Sequence, residues 1–418
     1  MDAKEKERLI FHVDVNSAFL SWESARRVKN GGEDLRLIPA AIGGDKDKRT
    51  AVILAKSIPA KKYGINTGEP VSMALRKCPS LVLAKPDFTL YTACSKAFMS
   101  ICREYAPVVE KFSIDECFLD MTGTDYLYPD PVALAHTIKD RIKNELGFTV
   151  NIGIGSNKLL AKMASDFEKP DKVHTLFTGE IEKKLWPLSV GELLFVGKNS
   201  AARLRSAGIN TVGDAAGTDI ARLQRILGMK MGQMVFEYSH GIDTTPVTSA
   251  RAEAKGFSIS TTLEENVTDT ETALNIIRML CESIAERMRQ DGFRAYCIGV
   301  TIRSREFKNR SHQKKLINAT DITEEIFAES SKLFVELWDR ETPLRLLGVS
   351  LTSLTKEDTV QLSLFENQEE TDRKRNVNKA LDDIRKKYGS GIIKRASSMD
   401  EKLEVGKKYR AEIENRDE

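Results

Sequence analysis

The stretch EKFSIDECFLDM, residues 110–121, sets two adjacent acids, Asp115 and Glu116, between segments that otherwise read as buried strands. Neighbouring ionised carboxylates in a partly desolvated place are electrostatically costly, so such a pair shifts its pKa, faces water or coordinates a cation. These residues alone leave a solvated hairpin turn open beside a cation site. A cation would call for a third oxygen ligand elsewhere in the chain.

Upstream, Leu9, Phe11, Val13 and Val15 alternate with Ile10, His12 and Asp14, the period of a strand, which puts Asp14 on the face opposite the main apolar row. Leu90, Cys94, Ala97, Ile101 and Tyr105 then recur at helical spacing, ending before Pro107. Two short strands flank SIDE. Val132, Ala135, Ile138, Ile142 and Leu146 predict an amphipathic helix stopped by Gly147, and Phe148, Val150, Ile152 and Ile154 alternate again. Strand, helix, strand, strand, helix, strand is the order of an α+β, ferredoxin-like βαββαβ unit, with a four-stranded antiparallel sheet and the first and third strands central. In that arrangement Asp14, Asp115 and Glu116 converge on one sheet edge.

Residues 25–84 are long for a loop and read as a small inserted lobe containing IPAKK. SNKLLAKMASDFEK, residues 156–169, predicts a helix opened by a Ser or Asn cap and closed by Pro170, its basic side chains turned to the cleft. Residues 178–240 read as a helical lobe. Its segment FVGKNSAARLRSAGINTVGDAA has a glycine turn at Gly197 that exposes N–H groups to a DNA phosphate, although a plain helical hairpin fits the spacing equally.

From residue 254 the strand and helix order recurs: strand 254–260, a helix through Leu274, Ile277, Cys281, Ile284 and Met288, strands near 295–303 and 312–317, helix 323–339 and strand 346–352. Ile298, Val300 and Ile302 point one way, and Thr301, Arg303 and Arg305 the other. With Lys308, Arg310, Lys314 and Lys315 the arginines predict a basic sheet face suited to a phosphate backbone; a solvated edge is the alternative. QLSLF, residues 361–365, is an amphipathic pentamer in charged surroundings and points to a partner's pocket. The tail beyond it is charged, with one helix expected through Val377, Leu381 and Ile384.

A chain of 418 residues exceeds one ordinary core, and its net charge of +3 means that any nucleic-acid footprint must be local. The six cysteines form no CxxC pair and sit mostly in apolar segments, and no stretch is long and apolar enough to span a bilayer. A soluble, cytoplasmic protein is the expectation.

Taken together, HVDVNSAFLSWE, FSIDECFLD, NIGIGSNKLLAKMASDFEKPD, the glycine turn and QLSLF resemble the Y-family (translesion) DNA polymerases of the DNA polymerase IV type, over about residues 9–365. The resemblance implies a palm at residues 1–24 and 85–177, fingers at 25–84, a thumb with a helix-hairpin-helix-like turn at 178–240, a linker at 241–253, a DNA-binding little finger at 254–355 and a tail at 356–418. It implies a monomer that copies primer-template DNA from dNTPs in damage tolerance and repair. Asp14, Asp115 and Glu116, with the Val15 carbonyl, would hold two Mg²⁺ ions. Phe19 falls at the position of the family's steric gate; an ordinary core aromatic is the other reading. Lys61 and Lys169 would meet the triphosphate. Gly197, Arg303, Arg305, Lys308, Arg310 and Lys314 would meet DNA. Gln361, Leu362, Leu364 and Phe365 would bind a sliding clamp.

The sequence departs from the family at Ile58 and Lys61, where Tyr and Arg are usual, and at Phe195, where the thumb turn often has its first glycine. Two other readings stay open. A nucleotidyl cyclase shares the palm chemistry but would need neither the basic little finger nor the clamp peptide. A weak or inactive relative acting as a clamp-bound adaptor draws on Ile58 and Lys61.

Overall fold

The computed structural model of the chain describes residues 8–45, 49–250, 253–357, 368–389 and 392–393, in two compact units divided near residue 251. The first unit begins β1 (Ile10–Val15), α1 (Ala18–Lys29), β2 (Ala40–Gly43), β3 (Ile53–Lys56), α2 (Ile58–Lys61), α3 (Val71–Lys77) and β4 (Val82–Ala84). It continues with α4 (Phe88–Tyr105), β5 (Val108–Lys111), β6 (Glu116–Asp120), α5 (Pro131–Leu146), β7 (Val150–Gly155), α6 (Lys158–Asp166) and β8 (Val173–Leu176). Helices α7 (Ile181–Lys184), α8 (Lys198–Ser206), α9 (Val212–Ala216), α10 (Ile220–Leu227) and α11 (Met229–Ser239) close it.

The main sheet has the order β5-β6-β1-β7-β8. The first and third strands of the βαββαβ unit, β1 and β6, are neighbours and central, as the pattern predicts. The expected four antiparallel strands become five, because β8 adds to β7 in parallel. Both faces of β1 are buried. Phe11, Val13 and Val15 pack with Cys117, Leu119, Val150, Ile152 and Ile154 under α4 and α5. On the other face Ile10 and Phe118 pack against Ala161 of α6.

Helix α6 lies unusually close to the sheet, and two glycines make this possible. A Cβ on Gly153 would fall 2.0 Å from the Ala161 carbonyl oxygen and 2.4 Å from the Ser165 nitrogen, and one on Gly155 would fall 2.7 Å from the Ala161 nitrogen. The helix starts on Asn157, whose side chain accepts the Leu160 N–H at 2.8 Å. Its far side, with Leu159, Leu160 and Met163, joins the core of the helical lobe.

The inserted segment forms a small sheet, β3-β2-β4, with its own apolar cluster of Ala41, Ile53, Ile65, Val71 and Ala74. Helix α1 runs through Lys29, past residue 25 where the insertion was expected to begin.

The second unit comprises β9 (Gly256–Val267), α12 (Thr270–Gln290), β10 (Arg294–Ser304), β11 (Asn309–Thr320), α13 (Thr323–Leu337), β12 (Leu344–Thr355) and α14 (Gln368–Tyr388). It repeats the βαββαβ order but not the sheet: the strands run β11-β10-β12-β9, all antiparallel, with the second and fourth strands central. The tail helix is present as α14, yet of its expected apolar stripe Val377 is 51% and Ile384 37% exposed, and Leu381 is half-buried. Charged side chains also dock it. Arg289 grips Asp382 at 2.6 and 3.0 Å, Arg375 reaches Asp321 at 3.3 Å and Arg385 reaches Glu282 at 3.3 Å. QLSLF, with Gln361, Leu362, Leu364 and Phe365, lies outside the described residues.

Candidate active site

Strand pairing sets Glu116, Asp14 and Asn151 in one row, because Asp14 faces Glu116 on β6 and Asn151 on β7. Asp115 lies just before this row, in the turn from β5. Its carbonyl accepts the Val15 N–H at 3.0 Å, and its carboxylate accepts the Ser113 hydroxyl at 2.5 Å. Helix α6 covers the row. Lys162 Nζ donates to Asp14 Oδ2 at 3.2 Å and to Glu116 Oε1 at 3.1 Å, and Lys169 Nζ lies 3.1 Å from Asp14 Oδ2. Behind them, His12 Nε2 is 3.3 Å from Glu116 Oε2 and Nδ1 is 2.8 Å from Ser165 Oγ.

Burial governs the electrostatics. It pushes the Asp14 carboxyl above the usual range even though Lys169 and Lys162 pull it down. Burial also disfavours charge on Glu116, but there the His12 hydrogen bond and the Lys162 ammonium prevail and hold it below its ordinary value. Burial brings the His12 imidazole down to about 4, so it is neutral near pH 7. Lys162 and Lys169 are held above their ordinary value, since Asp14 and neighbouring acids outweigh the burial that opposes charge.

Asp14, Val15, Phe19, Lys61, Asp115 and Lys169 all line one cleft of about 450 Å³, and Glu116 stands beside it through Asp14 and Lys162. Ser57 accepts the Ala60 N–H at 3.1 Å to open α2, which brings Ile58 and Lys61 to the cleft wall. Phe19 is both a wall and a packed aromatic, its ring stacked on Tyr91 with centroids 4.6 Å apart and planes at 20°.

Among the described residues no group of three or more His, Cys, Asp or Glu side chains stands ready to hold a metal ion. The donors nonetheless suit a hard divalent cation: the carboxylates of Asp14, Asp115 and Glu116 and the Val15 carbonyl are all oxygens at one end of β1. The lysines already supply positive charge at the same spot.

The second unit divides the basic set. Arg303 pairs with Asn309 across the hairpin, so its face carries Thr301, Ser311 and Lys315. Arg310 and Lys314 pair with Ile302 and Ile298 and therefore point to the opposite, helix-covered face. There Lys314 reaches Glu329 at 2.9 Å and Arg310 reaches Asp339 at 3.6 Å. The single basic face expected from the sequence is thus split, with Arg305 and Lys308 in the turn between the strands. In the helical lobe Gly197 caps α8 with open space at its Cα, and the exposed Phe195 holds φ +65°.

Lys162, His12, Asn16 and Asn151 were not singled out from the sequence. His12 shares the strand period of Asp14, which is the available signal, and Lys162 belongs to the helix whose basic side chains the sequence turns to the cleft without marking it among them.

The model of the impB/mucB/samB family matches residues 13–166, that of its C-terminal domain residues 254–364, and that of the DNA polymerase-iota thumb domain residues 193–243. A protein named DNA polymerase IV from Clostridium acetobutylicum is 47% identical over 93% of this chain and 98% of its own length. DNA polymerase IV 1 of Bacillus subtilis is 34% identical over 94% of each. Among solved structures, the Y-family DNA polymerase chimera Dbh-Dpo4(243-245)-Dbh shares the fold with a TM-score of 0.72 at 22% identity, covering 84% of this chain and 100% of its own. The carboxylate row under α6, the three matched regions and the near full-length relatives agree, and the chain belongs to the Y family of translesion DNA polymerases, of the DNA polymerase IV type.

Proposed function

We infer that the chain adds deoxynucleotides to a primer 3′ end opposite a DNA template, and that the row Glu116, Asp14 with Asp115 beside it is where the reaction occurs. The observation that carries this is the convergence of Asp14 and Asp115 with Lys61, Lys169 and Phe19 on one cleft, with Glu116 paired to Asp14 beside it. Two Mg²⁺ ions would be held by Asp14, Asp115, Glu116 and the Val15 carbonyl; bound there, they would activate the primer hydroxyl and neutralise the triphosphate. The chain's own part is to orient. Lys61 and Lys169 present ammonium groups to the phosphates, Phe19 lies where the sugar would rest, and neutral His12 holds Glu116. Because Ile58 has no phenol and Lys61 is a point charge, the cleft wall offers the phosphates neither the hydroxyl nor the guanidinium fork usual in the family at these two positions. The relatives above are named as polymerases, and the reading as an inactive adaptor finds no support. Primer extension with Mg²⁺ and each dNTP separately tests the reading: incorporation that ignores the template base would end it.

The domain roles follow the resemblance: palm at residues 1–24 and 85–177, fingers at 25–84, thumb at 178–240, linker at 241–253 and little finger at 254–355. The chain would work in the cytoplasm as a monomer; among the described residues no helix is long and apolar enough to cross a membrane. DNA would meet Gly197 in the thumb and Arg303, Arg305 and Lys308 in the little finger. Replacing Arg303 and Arg305 by alanine should weaken binding alike on all sequences and lower the salt slope by roughly one unit per lost phosphate contact. The same change at Arg310 and Lys314 should do less, because carboxylates already pair with both. A sequence-selective loss would contradict a backbone-tracking surface.

QLSLF would bind the sliding clamp through Gln361, Leu362, Leu364 and Phe365. A tether of this kind raises effective concentration at the primer end without touching the chemistry. Alanine at Gln361, Leu364 and Phe365 should leave single-nucleotide addition on a short substrate intact and remove the gain in product length given by a loaded clamp. Equal stimulation of parent and variant would refute it.

A further inference from the structure

Residues 167–172 join α6 to β8 and bring Lys169 to the cleft. A connection of this kind, outside helix and strand, would otherwise sample many arrangements. Asn151, wholly buried, spends its full bonding capacity around it. Its amide nitrogen donates to the Ser165 carbonyl at 3.0 Å and to the Glu168 carbonyl at 2.6 Å. Its oxygen accepts the Lys172 N–H at 3.2 Å and the Asn16 amide at 3.1 Å. Asn16 extends the hold, accepting the Asp171 N–H and the Thr149 hydroxyl, each at 2.9 Å. From α5, Lys139 and Lys143 each reach the Asp171 carboxylate at 2.8 Å.

These bonds fall on Glu168, Asp171 and Lys172, on both sides of Lys169. The Lys169 ammonium is thereby set 3.1 Å from Asp14 and 2.8 Å from Asp166. The strand itself gains nothing from an asparagine at this position. A β-branched residue would serve β7 better, and a buried amide is tolerated only when every polar atom is paired. The residue that satisfies those conditions is explained by the segment it grips.

We propose that Asn151 is a positioning residue for the incoming nucleotide: with Asn16 it holds the segment 167–172 so that the Lys169 ammonium is in place before the triphosphate arrives. Preorganised charge does not have to be gathered at the moment of binding, so the gain falls on nucleotide affinity. The proposal rests on the reading of Lys169 as a triphosphate contact.

The test uses the full chain and single-nucleotide addition at varied dNTP, with melting temperature and primer-template affinity measured in parallel. Lys169→Ala and Asn151→Ala should each raise the KM for dNTP about tenfold with a smaller change in kcat, as expected for the loss of one charged contact. The double variant should be no worse than Lys169→Ala alone, since both act through one ammonium. Asn151→Asp keeps the buried volume and the two accepted bonds but loses the two donated ones, and should match Asn151→Ala in KM. If Asn151→Ala does not fold, Asn151→Asp and Asn16→Ala decide, each with and without Lys169→Ala. An unchanged KM in the Asn151 variants, or effects that multiply in the double variant, would overturn the proposal. A parental KM for Lys169→Ala would instead remove the triphosphate reading on which it stands.

Discussion

Asp115→Ala and Glu116→Ala are each expected to abolish nucleotide addition, with primer-template affinity nearly unchanged. Metal-assisted stabilisation of a phosphoryl transition state is worth several kcal/mol, so the loss should be on the order of a thousandfold or more in kcat. The two variants differ in what else they disturb. The Asp115 carboxylate takes the Ser113 hydroxyl at the cleft surface, so its removal should leave the melting temperature near the parent's. Glu116 is bonded by both His12 and Lys162. Removing it leaves a buried lysine to Asp14 and Asp166, and some loss of stability should accompany the loss of activity. Extension near the parental rate by either variant would defeat the metal assignment, whereas a drop in DNA affinity equal to the drop in rate would mean that the acids shape the duplex site.

The second large effect concerns the sugar. Phe19→Ala should admit ribonucleotides that the parent rejects. The ring can exclude a hydroxyl only if it cannot step aside, and Phe19 is stacked on Tyr91, with Trp22 and Phe88 at 5.9 and 6.2 Å between centroids. Forcing an extra atom into a filled space costs about 1–3 kcal/mol, so discrimination between dNTP and rNTP should fall by roughly 5- to 150-fold in kcat/KM. Unchanged discrimination would make Phe19 simply part of the aromatic cluster.

Much of this site was legible because its strands announce themselves. Alternation puts Asp14 on the first, central strand and the apolar segments around SIDE put Asp115 and Glu116 where the second and third strands meet; pairing sets Asp14 opposite Glu116, with Asp115 in the turn before it. β8 escaped notice because Val173–Leu176 is only four residues long, with one of the four buried. The split of the basic residues escaped for a related reason. β11 is an edge strand exposed along most of its length, so no apolar row marks which of its faces turns toward the helices. The sequence turns the basic side chains of the 156–169 helix to the cleft but does not show that Lys162 meets Asp14, and Asn151 acts through residues 165–172, contacts of which spacing within its own strand carries no trace.

Gly153 and Gly155 bear no chemistry, yet the reach of Lys162 to two carboxylates depends on the atoms they lack. A Cβ at Gly153 would collide with helix backbone, which cannot swing aside as a side chain does, so the helix must rise as a body. A survey of every substitution along the chain, scored by activity, would therefore rank this position with the acids themselves. Tolerance at a residue here measures how rigidly its neighbour is built, and a sensitivity map alone would credit catalysis to a glycine whose contribution is clearance.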